Sequence, residues 1–132
     1  MAAIERPVAK RRPIYLNLLA IRQPLPAIVS ILHRISGALL FAVGIPLLLW
    51  FVQTSLASRD GYAAAFGPLS SWFGRLVLLV LAWGYIHHVL AGLRHLALDL
   101  HVGAQLASAR MASAIVMVIA LLLTLIVAVR LW

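Results

Sequence analysis

Three long apolar stretches, separated by short polar connections, organise the chain. Residues 35–52 read ISGALLFAVGIPLLLWFV and contain no ionisable group. Residues 76–93 read LVLLVLAWGYIHHVLAGL, interrupted only by His87 and His88, and residues 111–129 carry no charge, with Ser113 and Thr124 as their only hydroxyls. A helix that crosses a bilayer takes about 20 predominantly apolar residues. Extended by a turn each, the stretches predict three transmembrane helices, over about 28–53, 72–98 and 110–131. No alternation of the outer-membrane strand type is present. The expected class is therefore an all-α membrane protein, one membrane-anchor domain over residues 1–132, with a cytoplasmic N-terminal segment at 1–27.

The connections refine this picture. Gln53 to Ser71, with Asp60, Gly61, Gly67 and Pro68, reads as an outer loop holding a short interfacial helix. The inner loop, Leu100 to Ala109, is shorter. Pro46 is expected to kink the first helix, because it removes a backbone donor and crowds the preceding turn. The first apolar run is longer than a signal-peptide core, and no small-residue cleavage site follows it. It reads as a signal-anchor helix in a bacterial inner membrane.

Composition narrows the function classes. Of 132 residues 64% are hydrophobic and 11% charged, with a mean hydropathy of +1.06. Soluble domains are about half apolar and about a quarter charged, so a soluble enzyme is excluded. The length admits three spans comfortably, too few for a large transporter. There is no cysteine, which removes disulfides, thiolate metal sites and iron–sulfur ligation from this chain. The net charge of +8 lies at the edges of the apolar runs, which points to a bilayer rather than to nucleic acid. With the N-terminus inside, Arg6, Lys10, Arg11, Arg12, Arg22, Arg34, Arg94 and Arg110 face the cytoplasm, against Arg59, Arg75 and Arg130 outside. That asymmetry favours a cytoplasmic N-terminus and an outer C-terminus. Trp50, Trp72 and Trp132 then share the outer interface.

Ionisable groups in an apolar span cost roughly 2.5–3.5 kcal/mol for Arg, so each needs a reason. One cluster is Ser30, His33, Arg34, Ser36 and Gly37, at the entrance of the first span. The second is His88, Gly92, Arg94, His95 and Asp99, at the exit of the second. His88, Gly92, His95 and Asp99 are spaced four, three and four residues apart, which places them on one helical stripe. His88 lies about 16 Å along the axis from Asp99. Neutral imidazole ligates haem iron, and Gly92 would leave space for a flat macrocycle. Basic groups nearer the interface, His33, Arg34 and His95, match anionic propionates by depth. The plainer alternatives remain open on spacing alone. An intramembrane histidine also bridges helices and a glycine also marks close packing; Arg34 and Arg94 also snorkel to headgroups; Ser30 also bonds to a backbone carbonyl. His87 points about 100° away from His88, so one of the pair is the candidate ligand.

The same residues carry a resemblance. RPIYLNLLAIRQPLPAIVSILHRIS, from Arg12 to Ser36, resembles the N-terminal signature of the cytochrome b subunits of succinate dehydrogenase, complex II, at Arg12-Pro13, Leu18, Leu25, Ser30, His33-Arg34 and Ser36. HVLAGLRHLALD, from His88 to Asp99, is similar to that family's second signature of His, Gly, Arg-His and Asp. One departure is Leu98, where the family usually has an aromatic residue or Met. The spacing to Arg94-His95 favours His88 over His87.

The resemblance implies one of two small membrane anchors of a succinate:quinone oxidoreductase, with the isolated chain not catalytic. A flavoprotein subunit with FAD and an iron–sulfur subunit would be partners, together with a second anchor that shares a haem b. His88 is then the axial ligand to the haem iron, with His33, Arg34 and His95 near the propionates and Ser30 and Arg34 at the ubiquinone site. The alternatives are the anchor of a quinol:fumarate reductase, or a non-redox packing or transport subunit.

Overall fold

A computed structural model of the chain describes Asn17 and residues 20–132. Most of the basic N-terminal segment, including Arg6, Lys10, Arg11, Arg12, Pro13 and Leu18, lies outside the described residues. The described chain forms α1 (Leu25–Leu39), a π-helical turn (Leu40–Gly44), α2 (Ile45–Ala57), α3 (Arg59–Ser70), α4 (Trp72–Asp99) and α5 (Leu106–Leu131), with no strand among the described residues. α1, the π turn and α2 run on as one helical rod of 33 residues. With α4 and α5 it makes three helices long and apolar enough to cross a membrane.

Two prolines shape the first rod. Pro24 sits extended at the N-cap and a second proline follows in the first turn, where a missing N–H costs nothing. The helix therefore begins at Leu25, three residues before the expected position. Pro46 crowds the carbonyl four residues back. The rod answers with the π turn, in which the Ile45 N–H reaches the Leu40 carbonyl. The expected kink is thus a widened turn placed just before the proline.

The connection after α2 does hold a short helix. Ser58 caps α3 by accepting a hydrogen bond from the Gly61 N–H at 2.9 Å, and Phe66 meets Phe51 edge-on at 5.2 Å. At the next corner Ser71 accepts from the Gly74 N–H at 3.0 Å and donates to the Pro68 carbonyl at 2.6 Å. A methyl group at Gly74 would fall 2.7 Å from Leu69 Cα, so only glycine lets α3 fold this tightly onto α4. At the other end α4 stops in a Schellman motif. The Val102 N–H bonds to the Ala97 carbonyl and the His101 N–H to the Leu98 carbonyl, both at 2.9 Å. His101 takes the left-handed conformation, φ 60°, at the position glycine usually fills.

Apart from His87, small side chains form the interior. Val29, Ala91 and Val116 make its centre, joined by the buried Ser36, Ser113 and Ala120 and by Gly84. Phe41, Leu49 and Leu125 point outward with most of their surface uncovered. That inversion suits a lipid solvent, where helices gain by close backbone approach rather than by hiding apolar surface. The two hydroxyls of the third span are spent locally: Ser113 bonds to the Ala109 carbonyl and Thr124 to the Ala120 carbonyl, each at 2.7 Å.

Candidate functional site: a histidine cluster between the first two spans

α1 and α4 face each other through residues that both signatures contain. His88 extends from α4 toward α1, and its Nδ1 lies 3.0 Å from the His33 carbonyl oxygen and 3.2 Å from Ser36 Oγ. Ser36 donates its own hydroxyl to that carbonyl at 2.9 Å. The approach needs Gly37, because a Cβ there would stand 2.8 Å from His88 Cε1. With Nδ1–H donating to the carbonyl, Nε2 is left as the basic nitrogen and has no hydrogen-bond partner among the described residues.

His33 completes the cluster from α1. Its ring stacks on His88, with centroids 4.1 Å apart and planes 15° from parallel, and meets His95 at 5.1 Å and 45°. His33 therefore lies between two members of the α4 stripe, and the three imidazoles form a short row. The space beside Gly92 belongs to this row: a Cβ at Gly92 would meet His33 Nε2 at 3.5 Å. The gap that Gly92 leaves on α4 thus faces the His33 ring of α1. Crossing geometry decides this, and spacing along one helix carries no information about it.

His87 turns the other way. It is fully buried, stacks on Trp83 at 5.5 Å, and neither ring nitrogen has a hydrogen-bond partner among the described residues. The 100° offset expected between the two histidines is what separates them, His87 into the chain's interior and His88 to the α1 side. Arg94 is half-buried, with a buried Nε that has no hydrogen-bond partner among the described residues. Asp99 is exposed at the last position of α4.

Ser30 and Arg34 lie one turn apart on α1. Arg34 is exposed and Ser30 half-buried. Ser30 is the one serine of the chain whose hydroxyl neither gives nor takes a hydrogen bond among the described residues; Ser36, Ser55, Ser70, Ser71, Ser108 and Ser113 all donate to a carbonyl, and Ser58 accepts one. The back-bonded reading of Ser30 is therefore not the conformation observed. Neither Ser30 nor Arg34 hydrogen-bonds to the three histidines. Sequence reasoning missed the support that Ser36 and the His33 carbonyl give His88; the signal available was a serine and a glycine, Ser36 and Gly37, next to a buried-histidine motif.

Comparison with known proteins places these features. Succinate dehydrogenase cytochrome b556 subunits are similar to this chain: that of Paracoccus denitrificans is 38% identical over 102 residues, 77% of this chain and 78% of its own length. The Coxiella burnetii subunit is 30% identical over 124 residues, covering 92% of this chain and 98% of the relative. The Rickettsia prowazekii subunit is 26% identical over a similar span. The match to the family described as succinate dehydrogenase/fumarate reductase transmembrane subunit runs over residues 8–127. It takes in the first two spans, most of the third and both polar clusters, and with these relatives it establishes that the chain belongs to this family of cytochrome b membrane-anchor subunits.

Proposed function

We propose that this chain is a membrane anchor of a succinate:quinone oxidoreductase of a bacterial inner membrane, in which His88 would ligate the iron of a b-type haem and Ser30 and Arg34 would form part of a ubiquinone site. The observation that carries the reading is the hydrogen bond between His88 Nδ1 and the His33 carbonyl. Metal-ligating histidines characteristically donate their second ring N–H to a carbonyl or carboxylate, which fixes the tautomer and the ring plane. The residues present therefore fit a haem: Nε2 of His88 is the available ligand atom, and His33, Arg34 and His95 are the groups suited to its propionates. A bound haem b supplies a one-electron carrier within the membrane.

The chain's own part in quinone reduction is positioning and charge. The free Ser30 hydroxyl donates to a quinone carbonyl oxygen. The Arg34 guanidinium stabilises the negative charge that oxygen gains as electrons arrive from the iron–sulfur subunit. Two electrons and two protons convert quinone to quinol, and the protons come from water on the side where Arg34 is exposed. This side is cytoplasmic in the orientation that the basic residues favour. The remaining machinery, FAD and the iron–sulfur clusters, belongs to the flavoprotein and iron–sulfur subunits, and the second haem ligand to the other anchor. The names of the relatives favour succinate oxidation over fumarate reduction as the physiological direction.

The test is to extract membranes gently, recover the chain with its partners, and compare dithionite-reduced and succinate-reduced with oxidised spectra. A b-type difference band that co-purifies with a flavoprotein and an iron–sulfur protein is expected. A colourless chain without those partners would return the histidines to helix packing in a non-redox subunit. The same preparation checks Gly37→Val. The added side chain cannot occupy the position that His88 Cε1 holds, and overpacking of this kind costs about 1–3 kcal/mol. The expected result is a weakened and shifted b band at an unchanged amount of chain.

A further inference from the structure

A second feature lies at the end of the bundle away from the histidines. A groove of about 810 Å³ opens between α2, α3 and α4, lined by Phe51, Phe66, Leu69, Leu78 and Tyr85, with Arg75 also on its wall. Almost every atom facing it is apolar. Arg75 is half-buried and lies three residues after Trp72, at the start of α4. Its guanidinium has no hydrogen-bond or ion-pair partner among the described residues. A cation half-withdrawn from water against an apolar wall calls for an anion.

The dimensions select the kind of anion. From Arg75 to Tyr85 is ten residues of α4, about 15 Å along the axis, which is about half of the ~30 Å hydrocarbon core. The one charge stands at the end of the groove where the exposed Trp72 marks the interface, and nothing charged lines the groove below it. We infer that this groove holds one glycerophospholipid, its phosphodiester on Arg75 and an acyl chain along α4 in the leaflet opposite the histidine cluster. The oxygen–guanidinium contact is the charge-assisted kind that arginine makes well. The haem has no claim on this end, because His88 lies thirteen residues, about 20 Å, beyond Arg75 along the same helix.

The test uses the whole complex, purified in mild detergent, with bound phospholipid counted by mass spectrometry per chain. One tightly held phospholipid is expected. Arg75→Gln should weaken its retention roughly tenfold, the loss expected for one hydrogen bond to a charged group. Leu78→Trp, which fills the groove and leaves the cation, should also release it. Arg59→Gln, a cation of the same end outside the groove, should not. A photoreactive phenylalanine analogue in place of Phe51 should gain the mass of one phospholipid on irradiation. Equal lipid content in all variants, or a cross-link from position 51 to another polypeptide, would overturn the assignment. Haem content measured in parallel separates this inference from the haem reading: loss of lipid at constant haem supports it, and loss of haem with lipid retained overturns it.

Discussion

Replacing His88 with alanine is expected to abolish the b-type haem signal contributed through this chain while the polypeptide still inserts in the membrane. The separation of the two effects follows from where the stability lies. Insertion depends on three apolar helices, none of which loses length or hydropathy by that change. Packing between α1 and α4 loses the His33 stack and the Nδ1 bond, but Ser36 keeps its own bond to the His33 carbonyl, so that carbonyl is not stranded. The structural cost is then that of an ordinary half-buried truncation, about 1–3 kcal/mol, against complete loss of one ligand bond. His87→Ala gives the contrast. It removes a fully buried ring and leaves a cavity, with a stability cost of about 2–5 kcal/mol, yet His88 and its support remain. Reduced-minus-oxidised spectra, normalised to the amount of chain in the membrane, distinguish the two variants. A full b band in His88→Ala and none in His87→Ala would transfer the ligand to position 87.

Arg34→Ala is the second large effect. Quinone reduction by succinate should fall by about 10²–10³, as for loss of a donor that meets developing negative charge, while reduction of an artificial dye that takes electrons before the membrane is unchanged. Arg34 is exposed and makes no hydrogen bond within the described chain. Folding should therefore shift by no more than about 0.5 kcal/mol, which keeps activity and assembly apart. Ser30→Ala should act in the same direction and less strongly, because a neutral donor loses less than a charged one. Parallel loss in the dye assay would assign Arg34 to docking of the iron–sulfur subunit instead.

The fold was legible because runs of about 20 apolar residues admit few alternatives in lipid, and because Asp60, Gly61, Gly67 and Pro68 mark the connection that holds α3. The start at Leu25 is not marked by the apolar run, which begins at residue 35; it rests on Pro24 and Pro26, which suit a helix entrance. The π turn before Pro46 was invisible: a kink and a widened turn follow from the same proline. At the site, the stripe of His88, Gly92 and His95 could be read from periodicity within α4. What meets that stripe depends on how α1 crosses it. Periodicity therefore shows neither that Gly92 faces the His33 ring nor that Gly37 stands against His88. The free hydroxyl of Ser30 is of the same kind, because only three-dimensional placement shows that a serine has declined the carbonyl in reach.

The acceptor that holds His88 belongs to the main chain of residue 33 rather than to a side chain. No single substitution deletes a carbonyl. The orientation of His88 is thus insulated from mutation at position 33, whose imidazole can be exchanged for another ring or an aliphatic group without removing the anchor. Sensitivity passes instead to the geometry of the rod: a proline at Gly37, which would take away the amide that pairs this carbonyl within α1, or a shift of the helix by a fraction of a turn, would misalign His88 although every side chain around it stayed the same.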